Sequence, residues 1–464
     1  MRNIVSSVIG RFATLTVAAS LALSGIGGAS SASAQARAKN NLPLVRDAEI
    51  ESLVGDYARP LLKAAGLSRA GVQTVLVNSS DFNAFVLGRR IFVNTGAITM
   101  TETPNQLIGI LAHEIGHLAG GHQQRLRERL ESAKVMSIAA ALLGAGVAIG
   151  GSAAGVRGAA GAGAGVFSAG GAATQRSLLN YMRGEESVAD RAAINYLAKT
   201  GQSGRGLVET FQTLDRNSMF SGSGGRSYLS SHPAPRDRVL AIEESARRLT
   251  PYDKQDAAAL TERHGLARAK IAAYAGGMND VRRLFAKDPR SLPALYGDAI
   301  ATFLSGQHAS ALKKLDALIA ARPSNPWFHE MRGEILLEAG RAPEAATAFK
   351  RAAKLDRSNS GLLQAEIGQA LVMSGGKSDL NQAIELIQAG LQNDPVNGEG
   401  YRYLAMAYSR LGDIGRAELA TAEGHWNTGS LQEAKVFAAR AQSKLKPGTP
   451  AFRRAQDILS TKTR

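Results

Sequence analysis

Apolar Leu107, Ile108, Leu111, Ile115 and Leu118 recur at three- and four-residue steps, the spacing of one buried face of an α-helix. A start signal precedes them. Thr103 and Gln106 form a candidate capping box around Pro104, a residue suited to the first helical position. Upstream, Gly71 to Val77 and Asn83 to Asn94 read as strands of a small antiparallel meander that turns near Gly88 and Arg89. Beyond residue 250 the pattern repeats every 34 residues: Pro289 recurs as Pro323, Arg357 stands at the next period, and Pro395 follows after a further 38. The four-residue surplus matches the insertion Gly375 to Ser378. Gly306, Gly340 and Gly412 fall at turns in the same phase, and Ala311, Ala345, Ala383 and Ala417 fall where two helices would touch. Such helix pairs bury their apolar faces only against neighbours. The period therefore predicts an α-solenoid over about residues 255 to 460, with a further irregular pair from Gly429 to Lys446.

Two apolar stretches fit neither pattern. Arg2 and Arg11 precede Phe12 to Leu23, and Ala32-Ser33-Ala34 follows as a small-residue cleavage site. This predicts an export signal removed after Ala34, with a retained membrane anchor as the alternative. The second stretch, Val135 to Gln175, is rich in glycine and alanine and holds a single charge, Arg157. It lacks the ~20 strongly apolar residues that each membrane span needs. The expectation is a loosely packed helical hairpin or a lid over a cleft, with peripheral contact to a membrane surface.

The helix at 104–118 carries chemistry. In His113-Glu114-Ile115-Gly116-His117 the histidines lie one turn apart on one face, spaced to bind a single metal ion, and Glu114 can act as general base toward water at that ion. A catalytic zinc site wants three protein ligands and one open position. The longer metzincin pattern would put a histidine at position 123, which is Gln123. His122, five residues past His117 on a continuing helix, points away from the ligand face and reads as an ordinary surface or hydrogen-bonding histidine. A better third ligand is Glu186, in Glu185-Glu186-Ser187-Val188-Ala189-Asp190. One turn on, Asp190 is free to hold a ligand histidine by its second ring nitrogen.

Taken together these residues resemble the M48 metallopeptidases, a gluzincin family. The likeness covers about residues 45 to 245 and includes Asn83-Ala84-Phe85, Ile91-Phe92-Val93-Asn94, the histidine helix, Glu186 to Asp190, Ser231-His232-Pro233 and Arg238. The resemblance implies that His113, His117 and Glu186 bind one Zn2+ per chain and that Glu114 is the base. It also implies that the stretch around His232 closes over the metal. His232 has two open roles, as donor to the oxyanion of the tetrahedral intermediate or as a fourth ligand that keeps the enzyme inactive. Arg238 would orient the loop or meet acidic substrate groups. Ile91, Phe92, Val93 and Asn94 would offer an exposed strand edge to an extended substrate. The repeats resemble tetratricopeptide repeats, which present a groove for peptides.

The chain divides accordingly into a signal peptide (1–34), a metallopeptidase domain (35–250) and a helical-repeat domain (251–464), mainly α within an α+β class. It has no cysteine, so neither disulfides nor thiolate ligands enter. Of its eight histidines, His264, His308, His329 and His425 read as surface residues of the helical region. A net charge of +16 without a basic stripe interleaved with aromatics argues against nucleic acid and for anionic surfaces or acidic unfolded chains. The resemblance implies a periplasmic peptidase acting on misfolded or misassembled envelope proteins, with outer-membrane assembly machinery as a partner of the repeat groove. The competing reading is a non-enzymatic chaperone or assembly scaffold with a structural zinc.

Overall fold

Four short strands, β1 (Leu44–Val45), β2 (Gln73–Val77), β3 (Ala84–Leu87) and β4 (Arg90–Asn94), form one sheet in the order β1-β2-β4-β3. In this computed structural model residues 42–129, 131, 181–220, 228, 232 and 236–461 are described. The expected export signal and the glycine- and alanine-rich segment lie outside the described residues.

The sheet is mixed, not the antiparallel meander expected. β1 pairs antiparallel with β2 and β3 antiparallel with β4, but β2 and β4 run parallel. The cause is the 78–83 connection, which crosses the end of β4. There the Asn94 backbone N–H donates to the Asn83 carbonyl at 3.0 Å and its side-chain amide to the Asp81 carbonyl at 3.2 Å. The hairpin therefore docks on β2 through β4. Ile91, Phe92, Val93 and Asn94 are consequently buried in an interior strand with partners on both sides, and β3 is the edge strand on that side of the described sheet. β3 alternates buried and half-buried positions, as a strand with one covered face does, and packs beside the histidine helix. Phe85 stacks on its cross-strand partner Phe92 with ring centroids 4.9 Å apart.

The described helices up to residue 284 include α1 (Ala48–Ala64), α2 (Thr95–Met100), α3 (Pro104–Gly120), α4 (residues 181–199), α5 (Arg205–Phe220), α6 (Arg236–Leu249) and α7 (Ala258–Leu284). The capping box is present: the Thr103 hydroxyl accepts from the Gln106 N–H, and the Gln106 side chain accepts from the Thr103 N–H. Nearly the whole of α3 from Pro104 to Gly116 is buried, so its polar residues sit in the core rather than on a surface. Among the described residues no helix is long and apolar enough to cross a membrane.

The chain forms two compact units. One holds the residues up to Val45 and Leu53–His264; the other holds Arg46–Ser52 and Gly265–Arg464. His264, expected at a surface, is buried in the first unit, within hydrogen-bond distance of the Tyr57 hydroxyl (3.2 Å) and the Thr101 carbonyl (2.9 Å). The second unit is a series of helix pairs. Gly306, Gly340 and Gly412 adopt positive φ at the turns, and Ala311, Ala345, Ala383 and Ala417 are buried between helices, as the period predicts.

Sequence reading gave no hint that Arg46–Ser52 lies on the repeats. Lys270, 1% exposed, holds Asp47 at 2.8 Å, Glu49 at 3.6 Å and Glu330 at 3.2 Å. The Tyr296 hydroxyl donates to Glu49 at 2.9 Å, Arg46 pairs with Asp394 at 2.6 Å, and Ala48 packs against Trp327 and Leu363. Glu330, Glu334 and Glu366 also approach one another, but the Lys270 ammonium already serves Glu330. Burial pushes the Glu49 carboxyl up to about 7 despite Lys270. The fold thus favours its protonated form, and that contribution is full below pH 4.5 and lost as pH rises through 7. Glu49→Gln is expected to gain stability relative to the parent across this window, read as the urea midpoint of the repeat unit at several pH values.

Candidate metal centre and active site

His113 and His117 occupy one face of α3, with Gly116 between them turned toward α4. A Cβ at Gly116 would lie 2.8 Å from the Ala189 carbonyl oxygen, so only glycine lets α4 pass this close. Glu186 and Asp190 on α4 then reach the histidines. His113 Nε2 stands 3.0 Å from His117 Nε2 and 3.4 Å from Glu186 Oε2, and His117 Nε2 is 3.3 Å from Glu186 Oε1. Donors held tetrahedrally by one zinc ion are about 3.3–3.4 Å apart, given bonds of roughly 2.0–2.1 Å. The residues fit the ion. His232 joins them, its Nδ1 3.1 Å from both Glu186 oxygens and 3.4 Å from His113 Nε2, so these four residues converge on a common point.

The electrostatics suit a cation. Burial disfavours the charged form of His113, but Asp190 and Glu186 outweigh it and raise its pKa to about 9. Burial, foremost, takes His117 down to about 3, leaving that imidazole neutral. Burial also opposes ionisation of Glu186, yet its hydrogen bonds to His113, His117 and His232 hold it well below the usual carboxylate range. A divalent ion entering here would meet an anion and a free imidazole lone pair, and would displace the proton on His113.

The supporting residues are as closely placed. His113 Nδ1 lies 2.9 Å from Asp190 Oδ1. Arg238 grips Asp190 with two donors, Nε at 2.6 Å and Nη2 at 2.9 Å, and reaches Glu186 Oε2 at 3.0 Å. Glu114, 1% exposed, accepts from the Tyr228 hydroxyl at 3.2 Å and lies 3.6 Å from His232 Nε2. Burial raises the Glu114 carboxyl, the direction a proton acceptor needs to work near neutral pH.

The structure therefore brings His113, Glu114, His117, Glu186, Asp190, His232 and Arg238 to one place. It does not bring the backbone of Ile91–Asn94 forward as a free edge, because β2 and β3 consume its hydrogen bonds. Two residues escaped the sequence reading. Tyr228 stands four residues before His232, and the His232 backbone N–H donates to the Tyr228 carbonyl at 2.8 Å. The i, i+4 spacing was its only signal. His122, read as an ordinary surface or hydrogen-bonding histidine, is 5% exposed and touches His117.

Residues 45–246 match peptidase family M48, and residues 281–360 match the tetratricopeptide repeat. The chain carries an M48 peptidase domain. Its catalytic class is metallopeptidase, and tetratricopeptide repeats follow the M48 domain. The chain is 25% identical over 419 residues to the beta-barrel assembly-enhancing protease of Escherichia coli (strain K12), covering 89% of this chain and 82% of that one. It is 23% identical to the Yersinia pestis protein of the same name, covering 88% and 82%. Metalloprotease YcaL of Escherichia coli (strain K12) is 29% identical over 202 residues, 42% of this chain and 72% of the relative. Among solved structures, a tetratricopeptide repeat protein from Parabacteroides merdae aligns with a TM-score of 0.29 at 13% identity, covering 54% of this chain and 98% of that one.

Asp190 Oδ1 is placed, 2.9 Å from His113 Nδ1, where it could orient that ring. Asp190→Asn is expected to weaken zinc binding roughly 10- to 100-fold, as read by competition with a chromogenic chelator.

Proposed function

We propose that this protein is a zinc endopeptidase of envelope quality control, cleaving misfolded or misassembled proteins that its repeats hold. The observation that carries the peptidase reading is the set of donor atoms on His113, His117 and Glu186, 3.0 to 3.4 Å apart, with Glu114 beside them. In this reading those three residues bind one zinc ion per chain. Zinc at this place supplies Lewis-acid polarisation of a carbonyl and acidifies water.

The chain's own groups do the rest. Glu114 takes a proton from the attacking water as its oxygen bonds to the scissile carbon. When the C–N bond breaks, the same carboxyl returns that proton to the leaving amine. No side-chain nucleophile is needed. Tyr228, hydrogen-bonded to Glu114 Oε1, holds the base in one orientation. Asp190 and Arg238 fix His113 and Glu186 from behind.

His232 supports a resting plug better than an oxyanion donor. Its Nδ1 lies among the ligand atoms themselves, in the space a water needs. Substrate entry would then require the His232 ring to move away. The edge strand β3, beside α3, takes the substrate-pairing role first considered for Ile91–Asn94.

The envelope setting rests on the apolar stretch Phe12 to Leu23 with its small-residue site at Ala34, and on likeness to proteases named for β-barrel assembly. In this reading the mature protein is periplasmic. The repeats bind substrate or an outer-membrane assembly partner, and the positive charge favours acidic unfolded chains or an anionic membrane surface.

Purified Glu114→Gln is expected to lose about 100-fold or more of its activity on unfolded casein, the usual scale for removing a general base. Casein hydrolysis at the parent's rate would end the peptidase assignment and leave the scaffold reading. His232→Ala is expected to raise casein hydrolysis; a fall would assign His232 to the oxyanion instead.

A further inference from the structure

His122 stands where a continuing α-helix would not put it. Helix α3 ends at Gly121, whose φ of 66° is left-handed, and the chain resumes as a helix over residues 122–129. That break swings the His122 ring back over the last turn of α3. The space it enters exists because residue 120 is glycine: a Cβ there would lie 2.2 Å from His122 Nε2. The ring is 5% exposed, and its Nδ1 lies 2.8 Å from His117 Nδ1. On the far side its Nε2 is 2.7 Å from Glu185 Oε2, which also receives Arg125 Nη2 at 2.7 Å. Arg125 in turn donates to the Gly120 carbonyl and reaches the Tyr181 hydroxyl at 3.3 Å.

We infer that His122 is a positioning residue for the metal ligand His117, anchoring it through Glu185 and Arg125. The inference rests on the metal-site reading above and follows from the bookkeeping of protons on rings. If His117 offers Nε2 to a metal, that nitrogen carries no proton, so the single proton of the neutral imidazole is on Nδ1. This N–H must donate, and His122 Nδ1 is what it meets. His122 therefore accepts at Nδ1 and carries its own proton on Nε2, the nitrogen that lies 2.7 Å from the Glu185 carboxylate. The opposite tautomer would set two N–H groups against each other across the 2.8 Å between the two Nδ1 atoms. The two ligand histidines are thus anchored by separate routes, His113 directly by Asp190 and His117 through a second imidazole. Such outer partners fix a ligand's tautomer and ring orientation and are worth roughly 10- to 100-fold in metal affinity.

The test compares His122→Ala, His122→Phe and His122→Asn in the full chain. Zinc affinity is read by chelator competition, the ligand field by visible absorption of the cobalt-loaded protein, and kcat and KM on casein at saturating zinc. Asparagine can keep an acceptor toward His117, whereas phenylalanine keeps volume without one. Positioning predicts that Ala and Phe lose about 10- to 100-fold in zinc affinity, shift the cobalt spectrum and lower kcat more than KM, with Asn nearer the parent. A packing role predicts the reverse order, Phe like the parent and Asn like Ala, and would overturn the inference. So would equal affinity in all four proteins. Should Ala and Phe lose their cooperative melting transition, Glu185→Ala carries the test: a weaker affinity supports the relay and an unchanged one refutes it. A parent chain that takes up no zinc would instead bring down the metal-site reading itself.

Discussion

The contact between Gly116 on α3 and Ala189 on α4 is the constraint on which the site depends. Two histidines one turn apart make only half a candidate metal site, and the carboxylate that could complete it, Glu186, stands 69 residues past His117. At a Cβ-to-oxygen separation of 2.8 Å, any residue larger than glycine at 116 would force α4 outward. Glu186 and Asp190 would move with it, and both the ligand set and its support would open together. The glycine inside the histidine motif is thus as much part of the chemistry as its neighbours.

Close approach has an electrostatic cost, and the site offsets it by pairing every charge. Glu186, Asp190 and Arg238 are almost wholly buried, and each is in contact with an opposite charge or an imidazole. A buried carboxylate on its own would take up a proton and stop being a good ligand. Here three imidazoles surround Glu186 and the Arg238 fork faces Asp190, so both stay ionised. The Glu114 carboxyl, with a neutral phenol as donor and less compensation, is pushed the other way. Neighbouring acids on two helices thereby acquire opposite properties, one suited to holding a cation and one to moving a proton.

The parts legible in the sequence were those written locally. The capping box at Thr103 and Gln106, the histidine pair, the acidic pair one turn apart and the 34-residue period each need only spacing along one element. What escaped depended on geometry that spacing does not contain. Whether β4 or β3 docks on β2 is decided by the path of the 78–83 connection, so the strand holding Ile91 to Asn94 was placed on the wrong side of its partner. An ideal helix would carry His122 outward, but the left-handed residue at Gly121 resets the angular phase and turns the ring inward. Two glycines in a row, Gly120 and Gly121, were the available warning.

The few residues from Arg46 to Ser52 have a consequence for how the molecule comes apart. They form the opening turn of α1 and the segment just before it, yet by contact they are part of the repeat array, with Arg46 and Asp394 paired across 348 positions of chain. A ribosome releases them long before the lysine, tyrosine and tryptophan they meet. The array is consequently not a detachable module. A C-terminal fragment starting at residue 265 would keep Lys270 and Glu330 but lack Asp47 and Glu49, leaving an internal ammonium with one acid in place of three. Circular order along the gene and completeness in space are different things in this protein.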